Sequence, residues 1–285
     1  MSVHPRAREL TVSGSGYRPA FSEAFKPDSL PILDPISPIE DVSDEWAWGG
    51  ARGRGVRVGI IDSGVEEGHR MVGPVDGWLA ASMVAGDVRL SSEPHEDAMG
   101  HGTACAGIVR SHAPDCELYS IRVLGPGAST GEAFIAGLRW AIENGMHVCN
   151  LSLGTTKKAY YAALHELADL AYFRNVILVT AANNFPISSF PCEYASVISV
   201  AAHEGPDPET YYYNPMPPVE FGAPGINVRV AWRGGGTSLV TGNSFAAPHV
   251  TGFVARLLEK HPDLTSFQVK SVLRALAANM RREEP

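Results

Sequence analysis

Cysteines, long apolar runs and a recognisable export signal are scarce or missing in this sequence. The four cysteines, Cys105, Cys116, Cys149 and Cys192, are widely spaced and form no C-x-x-C pair, which argues against a disulfide framework or a zinc site. No stretch approaches the roughly 20 apolar residues of a membrane helix. The first ten residues are charged and lack the apolar run of a secretory signal. These absences predict a cytoplasmic protein that does not act in a membrane.

Basic residues are also in the minority. The chain has 23 Lys and Arg against 31 Asp and Glu, a formal net charge of -8. Because phosphate binding needs a concentrated basic surface, this balance argues against nucleic acid as a partner. The 285 residues are 45% hydrophobic and 19% charged, so the chain is able to bury a sizeable core.

Residues 1–44 differ in composition from the rest of the chain. They are rich in Pro, Ser and Asp, as in PDSLPILDPISPIEDVSD, and show no sustained periodicity. This composition is typical of an irregular extension rather than a packed unit. We therefore predict an N-terminal extension over residues 1–44 and one folded domain over residues 45–285.

From residue 45 onwards, short apolar runs alternate with segments of helical spacing. The predicted strands cover residues 56–62, 117–124, 147–153, 175–182 and 196–202. The predicted helices cover residues 102–110, 131–145, 159–174, 245–261 and 266–280. Continuously apolar strands between helices predict an α/β fold with a mostly parallel central sheet and helices on both faces. In such sheets, active sites form at the carboxyl ends of the strands.

Three polar residues, each with a glycine one or two positions away, stand at the ends of these predicted elements. Asp62 ends the first strand, His101 precedes the first helix, and Ser244 precedes the long helix over 245–261. Each has an ordinary explanation when taken alone: a turn residue, a structural histidine and a helix N-cap. Taken together, they are the residue types of an orienting carboxylate, a general base and a nucleophile.

The chemistry of such a set is nucleophilic catalysis. A serine hydroxyl is a weak nucleophile at neutral pH, so His101 would accept its proton during attack and later donate it to the leaving amine. Asp62 would hold the imidazole in the correct tautomer. The strand over 175–182 runs into Asn183 and Asn184, either of which is a turn former in isolation or a hydrogen-bond donor to the oxyanion.

The segments that carry these residues resemble the motifs of the subtilisin-like serine proteases, or subtilases. Asp62-Ser63-Gly64, Gly100-His101-Gly102-Thr103 and residues 242–250 (GNSFAAPHV) are similar to the Asp, His and Ser boxes of that family. Their order along the chain is also the subtilisin order. Residues 180–184 (TAANN) resemble the segment with the oxyanion asparagine. The likeness extends over about residues 45 to 280.

This resemblance implies a three-layer subtilisin-like fold and a serine endopeptidase that forms an acyl-enzyme. Asp62, His101 and Ser244 would be its triad, with Asn184 as the oxyanion donor and Asn183 as the fallback. A peptide or protein substrate would bind in extended form, as an added strand. The resemblance implies two edge segments for it: Gly127, Ala128 and Ser129, and Ser152, Leu153 and Gly154.

Several positions depart from the family pattern. Asn183 replaces the usual Gly of the oxyanion segment, and Asn243 replaces the usual Thr before the nucleophile. Met71 stands where many secreted subtilisins have a calcium-ligating Asp, and the loop that would complete that site is not recognisable. We therefore expect no cofactor, no metal ligand and no obligatory tight calcium site of that kind.

The sequence leaves other activities open. The same triad could serve a dedicated intracellular processing protease or a peptide ligase or macrocyclase, because either water or an amine can attack an acyl-enzyme. A peptide-binding pseudoprotease is a further alternative.

Overall fold

A central sheet with helices on both sides forms the fold. The computed structural model describes residues 42–125 and 130–280, which belong to the compact unit Ile39–Pro285. Most of the predicted extension over 1–44 lies outside the described residues, and its boundary with the folded domain stays a prediction. The strands are β1 (Arg57–Asp62), β2 (Gly77–Val84), β3 (Asp87–Ser91), β4 (Glu117–Arg122), β5 (Val148–Leu151), β6 (Ile177–Ala181), β7 (Ile198–His203), β8 (Tyr212–Tyr213), β9 (Phe221–Pro224), β10 (Val228–Trp232) and β11 (Gly236–Val240).

Among the described residues, one helix precedes the strands, three helices lie between strands along the chain, and two follow the last strand. These helices are α1 (Asp44–Trp48), α2 (His101–His112), α3 (Gly131–Glu143), α4 (Tyr161–Phe173), α5 (Ala247–Lys260) and α6 (Ser266–Leu276). Short 3₁₀ turns precede α4 and α5, over Lys158–Tyr160 and Asn243–Phe245 respectively. None of the described helices is long and apolar enough to cross a membrane.

The sheet is parallel through its centre and antiparallel at its two edges. Its strand order is β3-β2-β4-β1-β5-β6-β7-β9-β8 among the described residues, and only the β2–β3 and β8–β9 pairs run antiparallel. Strands β10 and β11 form a separate antiparallel hairpin. The parallel centre is buried on both faces, which is why its strands are continuously apolar in sequence.

Two hydrophobic cores cover the two faces of the sheet. One contains side chains of α1, α2, α5 and α6, and the other contains side chains of α3 and α4. Helix α3 shows how the sequence builds such a layer: Phe134, Leu138 and Ile142 recur at helical spacing and are buried. Thr130 caps this helix by accepting a hydrogen bond from the Ala133 N–H. The three-layer α/β fold predicted from the sequence is confirmed.

The structure also contains elements that the sequence pattern did not predict. The β2–β3 hairpin and the β10–β11 hairpin are missing from the predicted list because much of their surface faces solvent, which removes the continuous apolar signal. The last predicted helix extended to residue 280, whereas α6 ends at Leu276. After it, the Ala278 N–H bonds to the Tyr211 carbonyl instead of continuing the helical ladder.

Candidate active site

Three neighbouring strands of the sheet carry the candidate residues at their carboxyl ends. Strand β1 ends at Asp62, β5 is followed by Ser152, and β6 is followed by Asn183 and Asn184. Because β1, β5 and β6 are parallel neighbours, these side chains lie along one edge of the sheet. This edge is where parallel sheets form their binding sites.

A buried carboxylate and an imidazole form the centre of this edge. Both carboxylate oxygens of Asp62 lie 2.9 Å from Nδ1 of His101, which donates to them. Asp62 is completely buried and its Oδ1 also accepts from the Ser63 N–H at 2.7 Å. The negative charge of Asp62 raises the pKa of His101 above its ordinary value, against the opposing effect of burial. The contact also fixes the tautomer, so that Nε2 of the neutral ring is available as a base.

Asp97 organises the turn that precedes His101. Its carboxylate accepts hydrogen bonds from the Ser63 hydroxyl at 2.7 Å, the Gly100 N–H at 2.8 Å and the Thr103 hydroxyl at 2.6 Å. Burial acts to raise the pKa of Asp97, but these hydrogen bonds, led by that from Thr103, lower it overall. Asp97 was not among the predicted site residues, since it lies four positions before α2 and is not its N-cap, which is Gly100.

Gly102 is required by close packing between the two motifs. A Cβ atom at this position would collide with the Gly64 carbonyl oxygen and would lie 3.1 Å from the Asp62 Cβ. The glycine therefore lets the start of α2 approach the end of β1, which brings His101 within reach of Asp62.

Ser244 lies in the 3₁₀ turn at the start of α5 and forms a reciprocal pair with Ser152. The Ser244 hydroxyl donates to the Ser152 carbonyl oxygen at 3.1 Å, and the Ser152 hydroxyl donates to the Ser244 carbonyl oxygen at 2.7 Å. Within the described chain, no hydrogen bond joins Ser244 to His101. The imidazole instead packs beside the next residue, with 5.3 Å between the ring centroids of His101 and Phe245.

Cys105 connects the two halves of the site. It lies one helical turn after His101, and its Sγ is 3.9 Å from Oδ2 of Asp62 and 3.5 Å from the Ser244 carbonyl oxygen. Cys105 is fully buried, and burial raises the pKa of its thiol. Its i+4 spacing from His101 places both side chains on the same face of α2.

The same cluster is the one place in the described ranges where three ionisable ligand types converge. Single ligand atoms of Asp62, His101 and Cys105 lie within 4.8 Å of one another. One carboxylate, one imidazole and one thiol do not fit calcium, which takes six to eight oxygen ligands. A thioether at Met71 is equally unsuited to calcium.

The two asparagines after β6 have different environments. Oδ1 of Asn183 accepts from the Phe185 N–H at 2.9 Å, which closes a local turn. Oδ1 of Asn184 accepts from the Asn243 N–H at 2.9 Å. Nδ2 of Asn184 has no hydrogen-bond partner among the residues that the structure describes, and Asn184 lines the same cavity as Ser244. The catalytic roles of the candidate residues stay predictions.

A cavity of about 290 Å³ opens beside Ser244. Its wall consists of Ser152, Leu153, Gly154, Ala181, Ala182, Asn183, Asn184, Phe185, Ile187, Ser189 and Ser244. None of these side chains is ionisable, so the cavity is uncharged and partly apolar. The other predicted edge segment, Gly127, Ala128 and Ser129, lies outside the described residues.

A profile of the subtilase family matches residues 53–284. The chain therefore belongs to the subtilase family and is a subtilisin-family serine protease. The resemblance seen in the motifs is thereby confirmed.

Individual relatives are similar over most of the chain. Subtilisin DY of Bacillus licheniformis is 34% identical over 247 residues, which cover 81% of this chain and 86% of the relative. Subtilisin Savinase of Lederbergia lenta is 32% identical over 243 residues, which cover 81% of this chain and 86% of the relative. The alkaline protease of Alkalihalobacillus alcalophilus is 32% identical, and the match spans 61% of its length.

Solved structures show the same fold. A structure described as "S41 Psychrophilic Protease" superposes with a TM-score of 0.67 at 23% identity, covering 78% of this chain and 82% of that chain. One described as "Sphericase" gives a TM-score of 0.66 at 24% identity, covering 78% and 83%. At this level of identity, the two structures support the architecture alone.

Proposed function

We propose that the protein is a serine endopeptidase in which Asp62, His101 and Ser244 form the catalytic triad. The observation that carries this proposal is the hydrogen-bonded pair of a fully buried Asp62 and His101 at the carboxyl edge of the sheet, 2.9 Å apart. Cys105 touches both Asp62 and the residue Ser244, so the nucleophile candidate belongs to the same cluster. Peptides and proteins are the proposed substrates.

The reaction begins with a rotation of the Ser244 hydroxyl from the Ser152 carbonyl towards His101. Nε2 of His101 accepts the hydroxyl proton as Oγ attacks the peptide carbonyl carbon, and a tetrahedral oxyanion forms. The imidazolium, stabilised by Asp62, then donates this proton to the leaving amine. Water attacks the resulting acyl-enzyme by the same steps, with His101 again as base, and releases the acid product.

Two N–H groups are available for the oxyanion. Nδ2 of Asn184 is unpaired among the described residues, and Asn184 lines the same cavity as Ser244. The main-chain N–H of Ser244 lies at the start of a helix, where amide groups have no intrahelical acceptor. In a subtilisin, removal of one such side-chain donor lowers turnover by about 10²–10³.

The substrate chain is proposed to pair with the backbone of Leu153 and Gly154 as an added strand. These residues follow β5 and line the uncharged cavity. Gly127, Ala128 and Ser129 are proposed for the opposite side. Because the described cavity wall contains no ionisable side chain, we propose that the residue on the carbonyl side of the cleaved bond is uncharged.

We also propose a reducing, cytoplasmic setting and a processing role there. All four cysteines are free and buried, so this fold has no need of an oxidising compartment. The names of the relatives carry no support for this location.

Cleavage of a diverse peptide library tests the proposed activity. The wild-type protein should cut peptides after uncharged side chains, and Ser244→Ala should cut none while keeping the wild-type circular dichroism spectrum. A fluorophosphonate probe should label the wild type and leave Ser244→Ala unlabelled. Cleavage by Ser244→Ala would refute the triad, whereas products that end mainly in Lys, Arg, Asp or Glu would refute only the assignment of the cavity.

A further inference from the structure

The side chain of Asn243, the residue just before Ser244, connects two strand ends to the nucleophile turn. Its Oδ1 accepts from the Ala202 N–H at 2.8 Å. Its Nδ2 donates to the carbonyl oxygens of Ala182 at 3.3 Å and Asn183 at 3.0 Å. Since the oxygen faces a donor and the nitrogen faces two acceptors, this pattern requires a carboxamide.

The main chain of Asn243 makes a fourth contact. Its N–H donates to Oδ1 of Asn184 at 2.9 Å, across 59 positions of sequence. Because the amide group is planar and its oxygen is held by the Asn243 N–H, Nδ2 of Asn184 points away from that N–H. That nitrogen is the proposed oxyanion donor.

We propose that Asn243 is a positioning residue for the oxyanion site. Its amide holds the backbone that carries Asn184, and its N–H fixes the rotation of the Asn184 amide, so that Nδ2 is placed before substrate arrives. This inference rests on the proposed function. It also gives a physical reason for the asparagine at a position where the family usually has threonine: one hydroxyl cannot replace an acceptor and two donors.

Geometry sets the size of the expected effect. An oxyanion donor acts when it lies about 2.7–3.1 Å from the developing charge, and a displacement of about 1 Å in an active site can cost roughly 10²-fold. The Asn184 side chain is exposed, so packing alone does not fix its rotamer. The contacts from Asn243 supply the missing restraint.

The variant Asn243→Asp tests the role with little change of shape. This variant keeps the side-chain acceptor for the Ala202 N–H and the main-chain N–H that donates to Asn184. It removes both side-chain donors, so that a carboxylate oxygen would lie against the carbonyl oxygens of Ala182 and Asn183. We expect kcat to fall by about 10- to 100-fold. KM should change by less than about threefold, because no group on Leu153 or Gly154 is altered. The kcat of Asn243→Ser, which keeps one donor, should lie between that of the wild type and that of Asn243→Asp.

A double mutant separates positioning from general damage to the fold. With the donor already removed in Asn184→Ala, the further change Asn243→Asp should reduce kcat by less than about threefold, because coupled sites are not additive. A matched control is Asn279→Asp. Oδ1 of Asn279 accepts from the Tyr213 N–H at 2.9 Å, and its Nδ2 donates to the Tyr213 carbonyl at 2.7 Å. This clamp is at the β8 edge of the sheet, so its loss should leave kcat unchanged.

The outcomes distinguish this inference from the proposed function. A wild-type kcat in Asn243→Asp, or an equal loss with and without Asn184, would overturn the positioning role while an inactive Ser244→Ala still supports the triad. Cleavage by Ser244→Ala would overturn the function itself. If Asn243→Asp fails to fold by circular dichroism, Asn243→Ser carries the same test, and an unchanged kcat there would also overturn the inference.

Discussion

Asp62 shows how a single residue controls the chemistry of its neighbour. It is completely buried, and its two oxygens contact the same nitrogen of His101. A buried carboxylate is costly unless it is paired, and here the imidazole and the Ser63 N–H provide that pairing. The same contact makes His101 a stronger base and fixes its tautomer.

Replacing Asp62 by Asn should lower kcat/KM by about 10⁴-fold, the size seen when another triad loses its carboxylate. Without the negative charge, the pKa of His101 should fall towards its ordinary value, so the acid limb of the pH profile should move to lower pH. Residual activity measured from pH 5 to pH 9 checks both effects.

A surface carboxylate provides the control for this change. Asp115 pairs with Arg52 at 2.7 Å just before β4 begins, away from the carboxyl edge of the sheet. Asp115→Asn should leave kcat/KM and the acid limb unchanged. A normal rate in Asp62→Asn would exclude Asp62 from the triad.

At the residue scale, sequence reasoning selects candidates where residue type and position in an element coincide. Asp62, His101 and Ser244 became candidates because each stands at the end or beginning of an element with a glycine one or two positions away. Asp97 and Cys105 could not be assigned, because their partners come from other segments and a lone carboxylate or thiol has many uses. The four contacts of Asn243 are equally invisible in a one-dimensional pattern.

At the scale of secondary-structure elements, the packing of α2 against α5 joins the two halves of the candidate site. Helix α2 begins at the candidate base and α5 begins three residues after the candidate nucleophile, and the last residue of α2 packs against the first turn of α5. There, Nε2 of His112 lies 2.8 Å from Nδ1 of His249, and Nδ1 of His112 lies 2.9 Å from Oε1 of Glu209. Glu209 also pairs with Arg256 at 2.9 Å. No spacing in the sequence indicates this histidine pair, because its two members lie 137 positions apart.

The buried pair predicts a stability that depends on pH. Burial, and next the neighbouring His112, lower the pKa of His249 to about 3. Between that value and the ordinary histidine pKa of about 6.5, the unfolded chain binds a proton that the folded chain does not. The free energy of unfolding should therefore decrease as the pH falls from about 6.5. Glu209, with a pKa lowered to about 2 chiefly by its hydrogen bond with His112, adds a further loss only below about pH 4.5.

Urea unfolding at pH 7, 6 and 5 checks this prediction. His249→Gln should be less stable at pH 7, because it disturbs a buried hydrogen bond, but its stability should change less with pH than that of the wild type. The exposed His165, which pairs loosely with Asp169 on α4, provides the control in His165→Gln. An identical pH slope for wild type and His249→Gln would contradict the argument.

The elements that the sequence could predict are those whose residues are buried along the whole element. The strand over 175–182 was predictable because β6 is buried along its whole length. In contrast, β3 is mostly exposed and lies at the sheet edge, so its residues carry no apolar signal. Its place in the sheet depends on pairing with β2, a contact that only the folded chain defines.

At the scale of the whole molecule, each cysteine is a free, buried thiol. Cys105 and Cys116 lie in one core and Cys149 in the other, whereas Cys192 is buried outside both. Burial raises the pKa of Cys149 to about 12 and, as the largest cause, that of Cys116 and Cys192 to about 11. Since the thiolate is the reactive form, these side chains should be inert in the native protein.

Thiol titration with dithiobisnitrobenzoate at pH 8 measures this property. Fewer than one thiol per chain should react in the native state, and all four should react in guanidinium chloride. Fast native reaction of two or more thiols would contradict the burial. Fewer than four thiols in the unfolded state would reveal a disulfide and weaken the proposal of a reducing compartment.

The order in which the site residues occur has a consequence for biosynthesis. Asp62 and His101 leave the ribosome early, but the segment with Ser244 follows only after every strand of the large sheet has been translated. A nascent chain therefore carries the proposed base without the proposed nucleophile. Hydrolytic activity should emerge only when the last two helices dock, which protects the unfinished polypeptide from its own active site.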